Sequence, residues 1–142
     1  MKPFNGVVAL IAAACGATAG GHRTPDRPAG GFLITAEEIQ RSGARTAWQV
    51  LRDQAPILLA EEDQNGRPVR LTRRGRASLL LNDAPMVLLD GVLMPDFRNL
   101  DAVEAQSIQA IMIYDGIEGT TYYGTNAVSG VIVIKMKNGQ QS

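Results

Sequence analysis

Residues able to do chemistry are few in this 142-residue chain, and their spacing does not bring them together. Cys15 is the only cysteine and His22 the only histidine. One thiol cannot form an internal disulfide. One imidazole cannot build a His-rich metal site, which needs several convergent ligands. Both residues precede the first apolar run that reads as folded, so a Cys–His or Ser–His pair has no base within the fold. Glu37-Glu38 and Glu61-Glu62-Asp63 are carboxylate runs, but sequence neighbours on a helix do not face each other, and such runs read as solvated faces. The chain has no Gly-x-x-x-x-Gly-Lys phosphate loop and no dinucleotide fingerprint. A non-enzymatic protein is therefore expected, with no catalytic residue, no cofactor and no metal. Recognition chemistry remains. Arg67, Arg70, Arg73, Arg74 and Arg76 fall within ten residues, on a segment that reads as a half-exposed strand whose charges also protect its edge. Arg70, Arg73 and Arg74 are the candidate contacts to an anionic partner, and all three read as solvent-facing. Tyr122 and Asn126, in the Tyr114 to Asn126 loop, are the others, because loops on a rigid scaffold carry recognition. Tyr114, Tyr122 and Tyr123 also read as packing residues with wet hydroxyls.

Composition narrows the classes further. Lys plus Arg and Asp plus Glu are each 14, so the net charge is zero. That is not the profile of a nucleic-acid binder, whose affinity comes from releasing phosphate counterions. Hydrophobic residues are 45% and charged residues 20%, which is globular usage. The length suits one small domain plus tails; a transport barrel, at about 10 residues per strand, would need far more. Aromatics are 5%, so the core must come from Val, Ile, Leu, Met and Ala.

Met1 to Ala14 reads as a signal peptide, with Lys2 as the positive region and Val7 to Ala14 as a short apolar region ending in small residues. It is well short of the roughly 20 apolar residues that span a bilayer as a helix. Ala12-Ala13-Ala14-Cys15 is similar to a bacterial lipobox, in which small residues precede an acylated Cys; Ala12 stands where Leu is usual. The resemblance implies that Cys15 is the lipidation site and anchors the chain in the membrane, since several acyl chains hold stably. An ordinary cleavage site at Ala17-Thr18-Ala19, which would discard Cys15 and leave a soluble periplasmic protein, is the alternative. Residues 15–31 read as a lipidated terminus and a Gly- and Pro-rich tether.

The elements that must position the remaining residues follow from pattern. Phe32-Leu33-Ile34 reads as a strand. Thr35 and Glu38 have capping-box spacing, opening a helix that ends near Ser42-Gly43. Thr46 to Gln49 repeats the device, with Trp48, Val50 and Leu51 on the apolar side and Pro56 as the stop. Ile57 to Ala60 and Val69 to Arg73 read as strands about a charged turn, Glu61 to Pro68, with Asn65-Gly66 at its centre because both tolerate positive φ. Met86 to Leu89 reads as a buried strand ending in an Asp90-Gly91 tight turn, after which Val92 to Met94 continues. Asn99 to Ala105 suits a helical turn, Ile108 to Tyr114 a strand with Ile111 and Ile113 on one face, and Glu118 to Gly124 a short helix or turn. Val131 to Ile134 is the strongest strand, and Lys135 to Ser142 reads as a polar tail. The fold class is α+β: a compact domain with a small mixed sheet and short helices.

Three segments, in order, resemble the plug domain of TonB-dependent outer-membrane receptors, in particular the SusC/RagA-like branch. The first is Arg74-Gly75-Arg76-Ala77-Ser78 followed by Asn82 to Val92, an apolar strand ending in Asp90-Gly91-Val92. The second is the isoleucine-rich Ile108 to Asp115. The third is Tyr123-Gly124-Thr125-Asn126-Ala127-Val128-Ser129-Gly130-Val131-Ile132-Val133-Ile134-Lys135, similar to the family's YG-x-x-A-x-x-G-V-I-x-I ending. Asp90, Gly91, Tyr123, Gly124, Ala127 and Gly130 are the fold-signature turn residues that the resemblance singles out. It implies a plug-like domain over 32–137 with a polar tail at 138–142. It also implies a non-enzymatic role at the outer membrane, on the periplasmic side, in contact with a barrel or another envelope protein. The pattern ends shortly before Ser142, and residues 16–31 contain no short apolar energy-coupling segment, so a freestanding plug is expected. A small-ligand carrier for a metal chelate, glycan or peptide is the alternative.

Overall fold

The computed structural model describes residues 27–75 and 83–138. The expected signal peptide, Cys15, His22, most of the tether, Arg76 and Asn82 lie outside the described residues. Among the described residues no helix is long and apolar enough to cross a membrane. The elements are β1 (Phe32–Thr35), α1 (Ala36–Ser42), α2 (Ala47–Gln54), β2 (Leu58–Glu62), β3 (Pro68–Arg73), β4 (Met86–Leu89), β5 (Val92–Met94), β6 (Ile108–Tyr114), α3 (Gly116–Tyr123) and β7 (Val131–Met136). Short 3₁₀ helices span Phe97–Ala102, Ala105–Ser107 and Thr125–Ala127. This is the α+β class expected.

Five strands form one mixed sheet in the order β1-β6-β7-β4-β5, and β2 and β3 form a separate antiparallel pair. Only β4 and β7 run parallel. The central strands β6 and β7 are covered on both faces, which explains their unbroken apolar sequences. On one face Val87, Ile111, Ile113, Ile132 and Ile134 pack with Ile39, Trp48, Val50 and Leu51 of the two helices, and with Leu58 and Leu71 of the strand pair. On the other face one cross-strand row runs Leu33, Met112, Val133, Leu88, Leu93, fixed by register across all five strands.

Local chemistry sets the element ends. The capping box at α1 is complete: the Glu38 N–H donates to Thr35 Oγ1 and the Thr35 N–H to Glu38 Oε2. At α2 it is half made. The Gln49 N–H donates to Thr46 Oγ1 at 3.3 Å, but Gln49 Oε1 accepts from the Arg45 N–H at 2.9 Å. Thr46 is held instead in an isolated bridge with Glu104. The Asp90-Gly91 turn is as expected, with φ of 48° and 82°, the left-handed pair that a two-residue hairpin requires.

Four expectations are corrected. The β2–β3 turn is shorter than Glu61 to Pro68, because both strands extend into it. Of Asn65 and Gly66 only Gly66 has positive φ; Asp63 Oδ1 organises the loop by accepting from the Asn65 and Arg67 N–H groups. The helical turn over Asn99 to Ala105 is instead two 3₁₀ segments, interrupted where Glu104 bridges Thr46. Helix α3 starts at Gly116, ahead of Glu118, because Asp115 Oδ1 caps it. Lys135 and Met136 belong to β7, paired with Ala110 and Ile108, and are not tail.

Candidate functional site

The turn residues divide between the two ends of the sheet. At one end, Asp90 ties its hairpin to β7: its N–H donates to the Ile134 carbonyl at 2.9 Å and its Oδ1 accepts from the Met136 N–H at 2.9 Å. At the other end, α3 and the 3₁₀ turn after it fold back onto the start of β7. The Gly124 N–H closes α3 on the Thr120 carbonyl and the Ala127 N–H closes the next turn on Gly124. Ala127 is fully buried, and a Cβ on Gly119 would lie 2.9 Å from its carbonyl oxygen. Gly130 has φ of 96°, and a Cβ there would sit 2.8 Å from the Tyr114 carbonyl oxygen. The Tyr-Gly…Ala…Gly pattern thus shapes backbone: a side chain at Gly130 would collide with β6 and demand a conformation L residues rarely adopt.

The arginines do not form one solvent-facing patch. Arg70 is exposed, with Glu61 3.8 Å away. Arg74 is exposed, but its Nε donates to the Leu58 carbonyl at 3.2 Å and its N–H to the Ile57 carbonyl, so it also clasps β2. Arg73 is half-buried and approaches Gly130; its Nε is buried without a hydrogen-bond partner. The expectation of solvent exposure is corrected for Arg73: it lies on the face of β3 opposite Arg70 and Thr72 lies between them, so alternation and the strand's position turn it inward.

Two clefts open where β4 begins and β6 ends. One, of about 690 Å³, is lined by Arg70, Thr72, Asp83, Asp96, Phe97 and Arg98 among others. Asp96 is held below the usual carboxylate range, chiefly by the Arg98 N–H. The second, of about 590 Å³, lies between the segment Arg27-Pro28-Ala29 and α3, and is lined by Tyr114, Glu118, Tyr122 and Tyr123. The Tyr114 ring lies 5.9 Å from that of Tyr122 and 6.0 Å from that of Tyr123, tilted by 59° to each. Burial, then the nearby Tyr123 and Glu118, pushes the Tyr114 hydroxyl up. Tyr122 is 69% exposed, and Asn126 is exposed on the adjoining turn. The tyrosines and Asn126 therefore share one surface, as the loop reading expected. Glu118 and Arg27 in that cleft were not singled out from sequence; the one available signal is the Asp115-x-x-Glu118 spacing at a helix start. Among the described residues no group of His, Cys, Asp and Glu is arranged to hold a metal.

The family model of the TonB-dependent Receptor Plug Domain matches residues 28–131. The chain belongs to the plug-domain family of TonB-dependent receptors. The match runs from just before β1 to the first residue of β7, and so takes in the whole mixed sheet up to its final strand. Solved structures agree in fold. A mutant ferric enterobactin receptor of Pseudomonas aeruginosa, in complex with enterobactin, superposes with a TM-score of 0.58 at 24% identity, covering 81% of this chain and 18% of that one. The RagAB peptide importer in its open-open state gives 0.61 at 19% identity, covering 79% and 12%. The siderophore receptor PirA of Acinetobacter baumannii gives 0.55 at 20% identity, covering 78% and 18%. The plug domain described here thus spans less than a fifth of each of those chains. Among curated protein sequences none matches.

Proposed function

We propose that this chain is a non-enzymatic plug module of the bacterial outer membrane, lodging against an outer-membrane β-barrel on its periplasmic side. The observation that carries the reading is the family match over 28–131, laid over a sheet whose Asp90-Gly91 and Tyr123 to Gly130 turns are built as the family pattern requires. The Tyr123 to Lys135 sequence supports the SusC/RagA-like branch. Contacts to the barrel fall to the exposed α3 surface, Tyr122 and Asn126, with Arg70 on the neighbouring cleft. Cys15, after Ala12-Ala13-Ala14, is proposed as a lipid anchor. Native-detergent extraction of envelopes tests the reading. The chain should co-purify stoichiometrically with a protein that shifts mobility on boiling, as β-barrels do; recovery as a free monomer counts against it. Palmitate labelling that is lost in Cys15→Ala tests the anchor, and an unlipidated mature N-terminus at Gly20 would remove it.

A second reading, a carrier for a metal chelate, glycan or peptide, is favoured by the 690 Å³ cleft, where Arg70 and Arg98 stand beside Thr72 and Phe97. A free monomer whose melting temperature rises with one of these ligands would support it.

A further inference from the structure

The 590 Å³ cleft at α3 has an incomplete interior. Glu118 Oε1 accepts from the Ala29 N–H at 2.8 Å, which pins the segment before β1 to the helix. Its second oxygen, Oε2, is buried and accepts no hydrogen bond. Buried carboxylate oxygens are almost always satisfied, and a buried charge without a partner is costly. Asp115 stands beside it. A Cβ built on Gly30 would meet Asp115 Oδ2 at 2.6 Å and Glu118 Oε2 at 4.0 Å, so both carboxylates border one glycine that leaves the space open. Asp115 Oδ1 is used up in capping α3. Among the described residues no arginine or lysine forms an ion pair with either acid. Arg27 lines the cleft, but its guanidinium lies over the Phe32 ring, 6.0 Å from the centroid.

Three aromatic rings complete the wall: Tyr114, half-buried, and the exposed Tyr122 and Tyr123. Their faces attract a cation, and a planar cation best. A carboxylate with a free acceptor at the base of a tyrosine wall is the complement of a guanidinium, which forks onto the oxygens while its plane stacks on a ring. An ammonium supplies the charge but neither the fork nor the plane. We infer that this cleft receives an arginine side chain of a protein partner, with the guanidinium donating to Glu118 Oε2 and stacking on the tyrosines. Ile117 and Val128, 80% and 49% exposed on the same element and its following turn, would bury beside the partner backbone. The contact would form whether or not a barrel encloses the domain, so it stands or falls separately from the plug reading.

The test is an amide-shift titration of the full chain with the blocked peptide acetyl-Gly-Arg-Gly-amide, against the same peptide carrying uncharged citrulline. Saturable shifts at Ala29, Gly30 and Ile117 to Tyr123 are expected, with a dissociation constant on the order of 1 mM for one such side chain. Citrulline should weaken binding at least about tenfold, and lysine less, as befits the loss of one charge-assisted hydrogen-bonded pair. Glu118→Gln keeps an acceptor for the Ala29 N–H and should weaken the arginine peptide by a similar factor. Should that variant lose its fold, Tyr122→Leu, at an exposed position, decides instead: weaker binding supports the site. The inference is overturned by no saturable shift, by equal binding of the citrulline peptide, or by unchanged affinity in the folded variant.

Discussion

Two glycines with nearly the same backbone conformation offer a direct test of how the turn pattern works. Gly91 has φ of 82° and Gly130 has φ of 96°. Placing an alanine in the left-handed region costs about 1–2 kcal/mol at either site. Their surroundings differ. Nothing lies within 4 Å of a Cβ at Gly91, whereas one at Gly130 would be 2.8 Å from the Tyr114 carbonyl oxygen. That oxygen belongs to the last residue of β6, paired with Val131, and the Gly130 carbonyl itself accepts from the Met86 N–H at 3.0 Å. Relieving the clash must move β6, β7 or β4 against its neighbours, and overpacking of this kind costs about 1–3 kcal/mol more. Gly91→Ala should therefore lose about 1–2 kcal/mol and Gly130→Ala about 2–5 kcal/mol. Urea unfolding followed by Trp48 fluorescence measures both, since Trp48 is the only tryptophan and is fully buried. Equal losses, within about 0.5 kcal/mol, would refute the claim that Gly130 exists for close backbone approach.

Glu62 accepts from Trp48 Nε1 at 2.6 Å and from Arg52 Nη1 at 2.8 Å, so Glu62→Ala should cost about 1–3 kcal/mol and alter Trp48 emission, while Glu62→Gln, which keeps an acceptor, should cost less. The Asp63 carboxyl is held below its ordinary 3.8, first by the Arg67 N–H. Because the folded value is the lower one, its contribution is present above 3.8 and disappears as the pH falls from there through the folded value; hydrogen exchange at Asn65 and Arg67 should speed up over that window, and Asp63→Ala should abolish the pH dependence. Arg70→Glu should change stability by less than about 0.5 kcal/mol, as exposed substitutions do, whereas Arg73→Glu should cost more than about 1 kcal/mol by placing an unpaired charge in a half-buried site; equal thermal stability of the two would restore the single basic face.

Much of the fold was legible in local signals. Thr35 with Glu38, Asp90-Gly91 and the unbroken apolar run of Val131 to Ile134 each specify their geometry within a few residues. Other features depend on distant partners. Val69 alternates as a strand residue should, yet is 46% exposed, because β3 pairs only with β2 and its register shifts at Glu61/Glu62. Arg73 reads as surface from its charged neighbours, but its strand packs near Gly130, which lies 57 positions further along the chain. Helix α2 lost half of its capping box to a bridge with Glu104. The α3 cleft needed Ala29 and Glu118 to meet across 89 positions, a proximity that no short motif encodes. Its tyrosines were visible in the sequence, while the carboxylate between them was not.

The central claim is that this plug domain works against an outer-membrane barrel, and site-specific photo-crosslinking from Tyr122 tests it most directly. With benzoylphenylalanine at that position and the full chain in its native envelope, the account predicts an adduct in the outer-membrane fraction whose mobility shifts on boiling, and no such adduct from Glu37 on the opposite, helical face. An adduct found only with soluble proteins, or none from Tyr122 while Glu37 crosslinks a barrel, would contradict it.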